Sequence, residues 1–246
     1  MSSENHHYCK NLMEVNKSNR VIASQAIYNE QGVLLLAEGS EISEKRAEIL
    51  LHHKLMKPLE QSIGIANSFD AKQLVEYLNK FATNIPVLAV VTQEDQYQKA
   101  LVQCSLYYAK FPLLQLNLTV LAARAPSIYF QGLFSAMAGL AIGLQLKLPP
   151  KELLTVFIAG LFHDIGFLYL PSDLAEKTTE FSNNEWKALQ AHPLIAQRFL
   201  SLIPELPKDV GQAICHHHER IDGTGYPHHI FGDKLTLASQ IIAATD

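Results

Sequence analysis

Prolines constrain this chain more than any other feature. From about Gln96 onward they recur at Pro112, Pro126, Pro149-Pro150, Pro171, Pro193 and Pro204 to Pro207, and the stretches between them are largely apolar. Proline lacks the amide proton that a helix interior needs, but its fixed φ suits a first helical turn. Little strand-like alternation occurs in this half of the chain. The expected fold class is therefore mainly α, a helical bundle with a small α/β module at the N-terminal side.

That module is read from shorter signals. Residues 1–20 are polar and read as a flexible tail that includes His6 and His7. Val21-Ile22-Ala23 and Val33 to Leu36 flank the turn residues Asn29 to Gly32 and read as the two strands of a hairpin. Ser40 or Ser43 is placed to cap a helix running to about Lys54, and Pro58 bars its continuation. Residues 69–81 carry Phe69, Leu74, Tyr77, Leu78 and Phe81 near helical spacing. Ile85 to Val91, short and β-branched, reads as a strand or a buried connector. The organisation expected is a tail (1–20), an accessory or docking module (21–95) and a helical domain (96–246).

Bulk properties exclude several classes. With 48% hydrophobic and 18% charged residues, the chain has material for a packed core. A net charge of −4 gives no global positive field for duplex nucleic acid or an acidic membrane. Cys9, Cys104 and Cys215 lie far apart and form no disulfide framework, and the N-terminus has no apolar signal core, so a cytoplasmic location is expected. Ala125 to Leu146 is uncharged and long enough to span a bilayer. Ser127, Gln131, Ser135 and Gln145 interrupt it, which favours a buried helix of a soluble domain.

Four clusters carry chemistry. His163-Asp164-Ile165-Gly166 closes the apolar helix Leu153 to Phe162 and sets an imidazole beside a carboxylate, with Gly166 suited to the helix exit. His192-Pro193 follows a segment that Ser182 and Glu185 can start as a capping box. His216-His217-His218-Glu219 is a dense imidazole run, and Asp222 to Pro227 is a glycine-rich turn. Singly, these read as a helix end, a cap, a solvated loop and a turn. Together, imidazole and carboxylate without a thiolate cluster suit Mn, Fe, Ni or Zn. A bridging carboxylate such as Asp164 can hold two ions about 3.5–4 Å apart, an arrangement suited to phosphoryl displacement.

The strings LFHDIG, AHPLIAQRFL, HHERIDGTGYP and ASQIIAATD, in that order from about Gly132 to Asp246, resemble the HD-GYP family, the branch of the HD phosphohydrolases associated with cyclic di-GMP hydrolysis. HHERIDGTGYP is the most specific of them. The resemblance implies a helical HD-type bundle and a divalent transition metal, Fe or Mn, as one or two ions. It implies that Asp164 is catalytic and bridges the ions. His192, His217 and His218 would complete one site, and His163 and Asp246 the other, with His216 a neighbour. Gly225, Tyr226 and Pro227 would line the substrate site or meet a protein partner. The implied substrate is cyclic di-GMP or a related cyclic dinucleotide.

The chain also departs from the family pattern. Where the family carries a further histidine, 32 residues before His163, this chain has Gln131, and no histidine lies between His53 and His163. Ser127 replaces a carboxylate that some members use for a third metal. Phe167 stands for the lysine after HDIG, and Phe134 for an arginine. These changes remove an imidazole and two positive charges, so two functions stay open: a metal-dependent phosphodiesterase, or a catalytically degenerate module that binds metal, nucleotide or a partner. The segment Leu235 to Asp246 shows no helix cap or stop signal, which suggests a chain truncated at Asp246.

Overall fold

The computed structural model describes residues 11–13, 15–16, 20–65, 70–171, 174, 177 and 179–246. Most of the expected tail, with His6, His7 and Cys9, lies outside these residues, as does Phe69. Where the tail is described, part of it is packed inward while Arg20 is exposed. Leu12 and Val15 are fully buried, and the Asn11 amide donates to the Leu168 carbonyl at 2.8 Å.

The N-terminal module has four short strands: β1 (Val21–Ala23), β2 (Ile27–Tyr28), β3 (Leu34–Leu36) and β4 (Ile63–Ile65). β1 does not pair with Val33 to Leu36 as expected. It pairs antiparallel with β4, Val21 opposite Ile65 and Ala23 opposite Ile63. Both strands bury their first and third residues, so their apolar faces match across the pair. The hairpin is instead β2–β3, closed by Asn29, whose side-chain oxygen accepts the amides of Gln31 and Val33.

Helix α1 (Glu44–His52) starts after Ser43, and α2 (Ala71–Ala82) begins in a capping box between Asp70 and Gln73. Ile85 to Val91 is neither strand nor buried connector: Pro86 opens a helix, α3 (Pro86–Val91), that leaves Val87 and Val90 exposed. Its β-branched content was misleading because proline at the first position fixes helical φ.

Among the described residues eight helices follow: α4 (Asp95–Tyr108), α5 (Pro112–Arg124), α6 (Pro126–Gln145), α7 (Pro150–Phe162), α8 (Asn183–Leu189), α9 (His192–Leu200), α10 (Lys208–Cys215) and α11 (Leu237–Thr245). Pro112, Pro126, Pro150 and Pro193 each sit in a first turn, where the missing amide proton costs nothing. The final helix does have a start signal: the Thr236 side chain accepts the Ser239 amide.

The core centres on α7, whose residues Thr155 to Phe162 are all buried; a helix apolar on every side must be enclosed on every side. Its closest neighbour is α6. Gly132, Ala136, Gly139 and Gly143 recur at four, three and four residues and form one small-residue stripe along α6. A β-carbon on Gly160 of α7 would stand 2.6 Å from the Ala136 backbone, and one on Gly132 would stand 2.8 Å from the Leu161 carbonyl. Both α6 and the stretch Pro150–Tyr169 are long and apolar enough to cross a membrane; half of the first and 83% of the second is buried inside the protein. Their hydrophobicity is spent on each other and on the rest of the core.

The module docks beside the end of α7. Besides the Asn11 bond, Gln61 donates to the Leu202 carbonyl at 3.2 Å. Glu60 is buried, which raises its pKa, while hydrogen bonds from its backbone and Tyr169 and the charge of Arg198 act against that rise.

The α6–α7 contact predicts the cost of filling it. Gly160→Val should lower stability by about 2–4 kcal/mol, since backbone atoms cannot move aside as a flexible side chain could. Urea denaturation followed by circular dichroism measures this. An unchanged midpoint would mean that the two helices do not approach so closely.

Candidate metal centre

Three helix ends bring the imidazoles together. His163 follows α7 directly, His192 comes three residues after the last residue of α8, and His217 comes two residues after α10. In each the ring Nδ1 meets the backbone carbonyl three residues earlier: Gly160 at 2.9 Å, Leu189 at 2.7 Å and Ile214 at 2.5 Å. A carbonyl only accepts, so Nδ1 carries the proton. In the neutral ring the lone pair is then on Nε2, the atom turned inward.

What these lone pairs face is the central observation. The Asp164 Oδ1 lies 3.0 Å from His192 Nε2 and 3.6 Å from His217 Nε2, and the two ring nitrogens are 3.3 Å apart. With neutral rings, three acceptors converge in a buried space with no donor among them. Asp164 Oδ1 is buried and has no hydrogen-bond partner among the described residues. Such a cluster is repulsive unless a cation sits inside it. Asp164, His192, His217 and His218 each offer one ligand atom, all within 4.8 Å of one another. His163, Asp164 and Asp246 form a second group on the same criterion. These His/Asp clusters can bind metal, and an ion would answer the unpaired Asp164 oxygen.

Charge is distributed unevenly across the two groups. Burial alone would depress His163, but Asp164 and Asp246 overcome it, and the ring is raised to about 9. Its Nε2 lies 3.0 Å from Asp246 Oδ1 and 3.5 Å from Asp164 Oδ2. Burial opposes ionisation of Asp164, yet foremost the His163 charge holds it well below the usual carboxylate range. On the other side, burial depresses His217, and burial with the charges of His217 and His192 takes His218 down to about 3. Two imidazoles are thus kept neutral, the form in which they ligate metal.

The remaining residues singled out in the sequence fall around this centre. Gln131 is adjacent: its amide donates to Asp246 Oδ1 at 2.6 Å and to the Asp246 carbonyl at 3.1 Å. Phe167 stacks on His192, ring centroids 4.3 Å apart, whereas Phe134 packs against the core. Tyr226 stacks on His218 at 4.7 Å and stands edge-on to His192 at 6.4 Å. His216 turns away from the centre toward His228. The Ser182–Glu185 capping box ahead of His192 is present.

Both glycines of interest serve close approach. Gly166 does not end the helix in a left-handed conformation; it lies in the 3₁₀ turn Ile165–Tyr169, where a β-carbon would come 2.1 Å from the His192 carbonyl oxygen. Gly225 lies against the backbone of His218 to Arg220, its added β-carbon 2.4 Å from the Arg220 nitrogen. Within the turn, Gly223 alone has positive φ (76°). One important residue escaped the sequence reading. Glu219 is buried, and its two carboxylate oxygens accept the amides of His228 and Ile230 at 2.6 and 3.0 Å. It anchors the returning limb of the loop that carries Tyr226. The only sequence signal was an acidic residue at the end of a histidine run.

Two predictions follow from this geometry. Glu219→Gln replaces one charged acceptor by an amide donor, and each hydrogen bond to a charged group contributes about 1.5–3 kcal/mol. The amides of His228 and Ile230 should exchange with deuterium markedly faster; unchanged rates would remove Glu219 as the anchor. In chelator, the His163 contribution to stability is fully present below the ordinary imidazole value of 6.5 and is lost as pH rises through about 9, because the folded state binds its proton more tightly. The thermal midpoint of the metal-free protein should fall across that window, and His163→Ala should flatten the fall. An equal fall in the variant would place the titration elsewhere.

The HD domain family matches residues 112–246, more than half of the chain. A cyclic di-GMP phosphodiesterase of Pseudomonas aeruginosa is 29% identical over 137 residues, 56% of this chain and 33% of that protein. The 3'3'-cGAMP-specific phosphodiesterase 3 of Vibrio cholerae is 32% identical over 105 residues, covering 43% and 23%. The cyclic di-GMP phosphodiesterase response regulator RpfG of Xanthomonas campestris is 33% identical over 113 residues, covering 46% and 30%. The chain thus spans a third or less of the length of these relatives. Bd1817 of Bdellovibrio bacteriovorus, a solved HD-GYP-type protein, aligns with a TM-score of 0.46 at 15% identity, over 91% of this chain and 81% of that one. The chain belongs to the HD domain family, with cyclic dinucleotide phosphodiesterases of the HD-GYP type among its relatives.

Proposed function

We propose that this protein is a cytoplasmic metal-dependent phosphodiesterase that hydrolyses a cyclic dinucleotide, cyclic di-GMP or 3'3'-cGAMP. The observation that carries the reading is the convergence of His192 Nε2, His217 Nε2 and the partnerless Asp164 Oδ1 on one buried space. In this reading His192, His217, His218 and Asp164 hold one ion, and His163, Asp164 and Asp246 hold another, iron or manganese by the oxygen and nitrogen character of the set. A divalent ion there supplies Lewis acidity toward a phosphoryl oxygen and makes water a competent nucleophile at neutral pH.

The protein's own part is positioning. Carbonyls of Gly160, Leu189 and Ile214 fix three ring tautomers and orientations before any ligand arrives. Asp164 belongs to both groups, so its two oxygens set their spacing. Tyr226, stacked on His218, presents an aromatic ring beside the centre, and Gly225 lets its backbone lie directly against His218 to Arg220. Phe167 and Phe134 bring no charge to a substrate phosphate.

One observation favours a second reading, a module that binds metal or nucleotide without turnover. Gln131 gives its amide protons to Asp246, occupying the oxygen that also faces His163. An amide donor at that position competes with a cation for the carboxylate.

Elemental analysis after loading with Mn²⁺ or Fe²⁺, together with hydrolysis assays on both dinucleotides, separates the readings. The enzyme predicts two ions per chain and turnover that His217→Ala reduces by at least about a hundredfold, the upper end of the loss from removing an outer-shell partner. Near one equivalent with no turnover would sink the enzyme and favour the binding module. The module also predicts that Gln131→His tightens metal binding.

A further inference from the structure

A second cluster of ligand atoms lies behind the histidine run, away from the centre described above. Cys215, the last residue of α10, is buried, and its Sγ stands 3.9 Å from Nδ1 of His228, thirteen residues later. Ring nitrogens of His216 and His228 and the Cys215 sulfur all lie within 4.8 Å of one another. The two imidazoles meet edge to face, centroids 5.6 Å apart and planes at 83°. Nδ1 of His216 is buried without a hydrogen-bond partner among the described residues. A shared ion with bonds of about 2.3 Å to sulfur and 2.0–2.1 Å to nitrogen, tetrahedrally arranged, needs ligand atoms somewhat under 4 Å apart.

We propose that Cys215, His216 and His228 form a separate binding site for one thiophilic transition metal, Zn²⁺ being the best fit, with the fourth position open to water. Three features support it beyond proximity. One thiolate and two imidazoles form a borderline-soft donor set, which suits zinc and differs from the nitrogen and oxygen set of the main centre. The His216 ring reaches the cluster while its buried Nδ1 has no hydrogen-bond partner among the described residues, so the ring has a nitrogen free to ligate. Finally, the geometry is held from both ends: α10 fixes Cys215 and His216, while the Glu219 carboxylate fixes the His228 backbone. On binding, the Cys215 thiol gives up its proton to solvent and the thiolate becomes the ligand.

The position gives the site a consequence. His228 directly follows Gly225-Tyr226-Pro227, and Cys215 and His216 directly precede His217 and His218. An ion there ties the far limb of the Tyr226 loop to the end of α10, closing a loop of about a dozen residues much as a disulfide would. It would hold Tyr226 against His218 whether or not the main centre is filled.

Cobalt distinguishes the two centres because a thiolate–Co²⁺ pair absorbs in the near ultraviolet and an imidazole–carboxylate site does not. Titrating the metal-free full-length chain with Co²⁺ should produce that band. It should persist in His217→Ala, which disables the main centre, and in Cys9→Ser and Cys104→Ser. It should vanish in Cys215→Ser, and in His228→Ala the cobalt affinity should fall by about tenfold or more. His228 is exposed on the loop, so this variant keeps the core intact and covers the case in which Cys215→Ser fails to fold. No thiolate band in the wild type, or a band lost with Cys9 or Cys104 instead, would overturn the proposal and leave Cys215–His228 as a simple hydrogen bond. The readout is independent of turnover, so it stands or falls apart from the phosphodiesterase reading.

Discussion

The centre depends on one repeated interaction, an imidazole Nδ1–H donated to a carbonyl in the last turn of a helix. The last carbonyls of a helix have no amide partners within it, and the C-terminal end carries the negative pole of the helix dipole. His163 on Gly160, His192 on Leu189 and His217 on Ile214 each satisfy such a group. The same bond does three things: it caps a helix, fixes a tautomer and turns Nε2 inward. The negative ends of α7 and α10 then flank a buried carboxylate, while at His192 the end of α8 meets the positive start of α9. The buried carboxylate and the inward Nε2 lone pairs, more than these opposed helix dipoles, are what favour a cation there.

Against that background the unusual residues have definite physical effects. Gln131, at the position where the resemblance led one to expect a histidine, donates its amide to Asp246 Oδ1, where a ligand would instead offer a lone pair. Phe167, where the resemblance led one to expect a lysine, lies flat on His192, at 4.3 Å between ring centroids. This stacking adds apolar cover to one face of the ligand ring. The group around His192, His217 and Asp164 keeps a full set of inward lone pairs, while the group around His163 and Asp246 has one oxygen already engaged.

Much of the helical architecture was legible because its signals are local. Proline at a first turn and the Ser182–Glu185 box act over a few residues and read directly from the chain, whereas the Asp70–Gln73 box and the small-residue stripe of α6 emerged only with the structure. The histidines were legible as a set through the resemblance, since their spacing alone left each open to a blander reading. What stayed hidden depends on distant partners. The pairing of Val21–Ala23 with Ile63–Ile65 joins segments some forty residues apart, and nothing near Val21 specifies it. Gly166 and Gly225 read as turn residues, yet they are glycine because another backbone passes too close for a β-carbon. Glu219 looked like one more charge beside a loop; only burial and two amides converging on it reveal the anchor.

The placement of the N-terminal module bears on the same ring. The 3₁₀ turn Ile165–Tyr169 is touched from both sides. From the module side, Leu168 accepts the Asn11 amide, and Glu60 is buried against Tyr169. From the centre side, Gly166 lies directly against the His192 backbone, and Phe167 covers the His192 ring. Packed protein interiors transmit displacement because they contain few voids to absorb it. At Gly166 there is no slack at all, since even a methyl group would overlap the His192 carbonyl. The five residues of turn that bring Gly166 against His192 are thus the same ones that Asn11 and Glu60 contact from the N-terminal side.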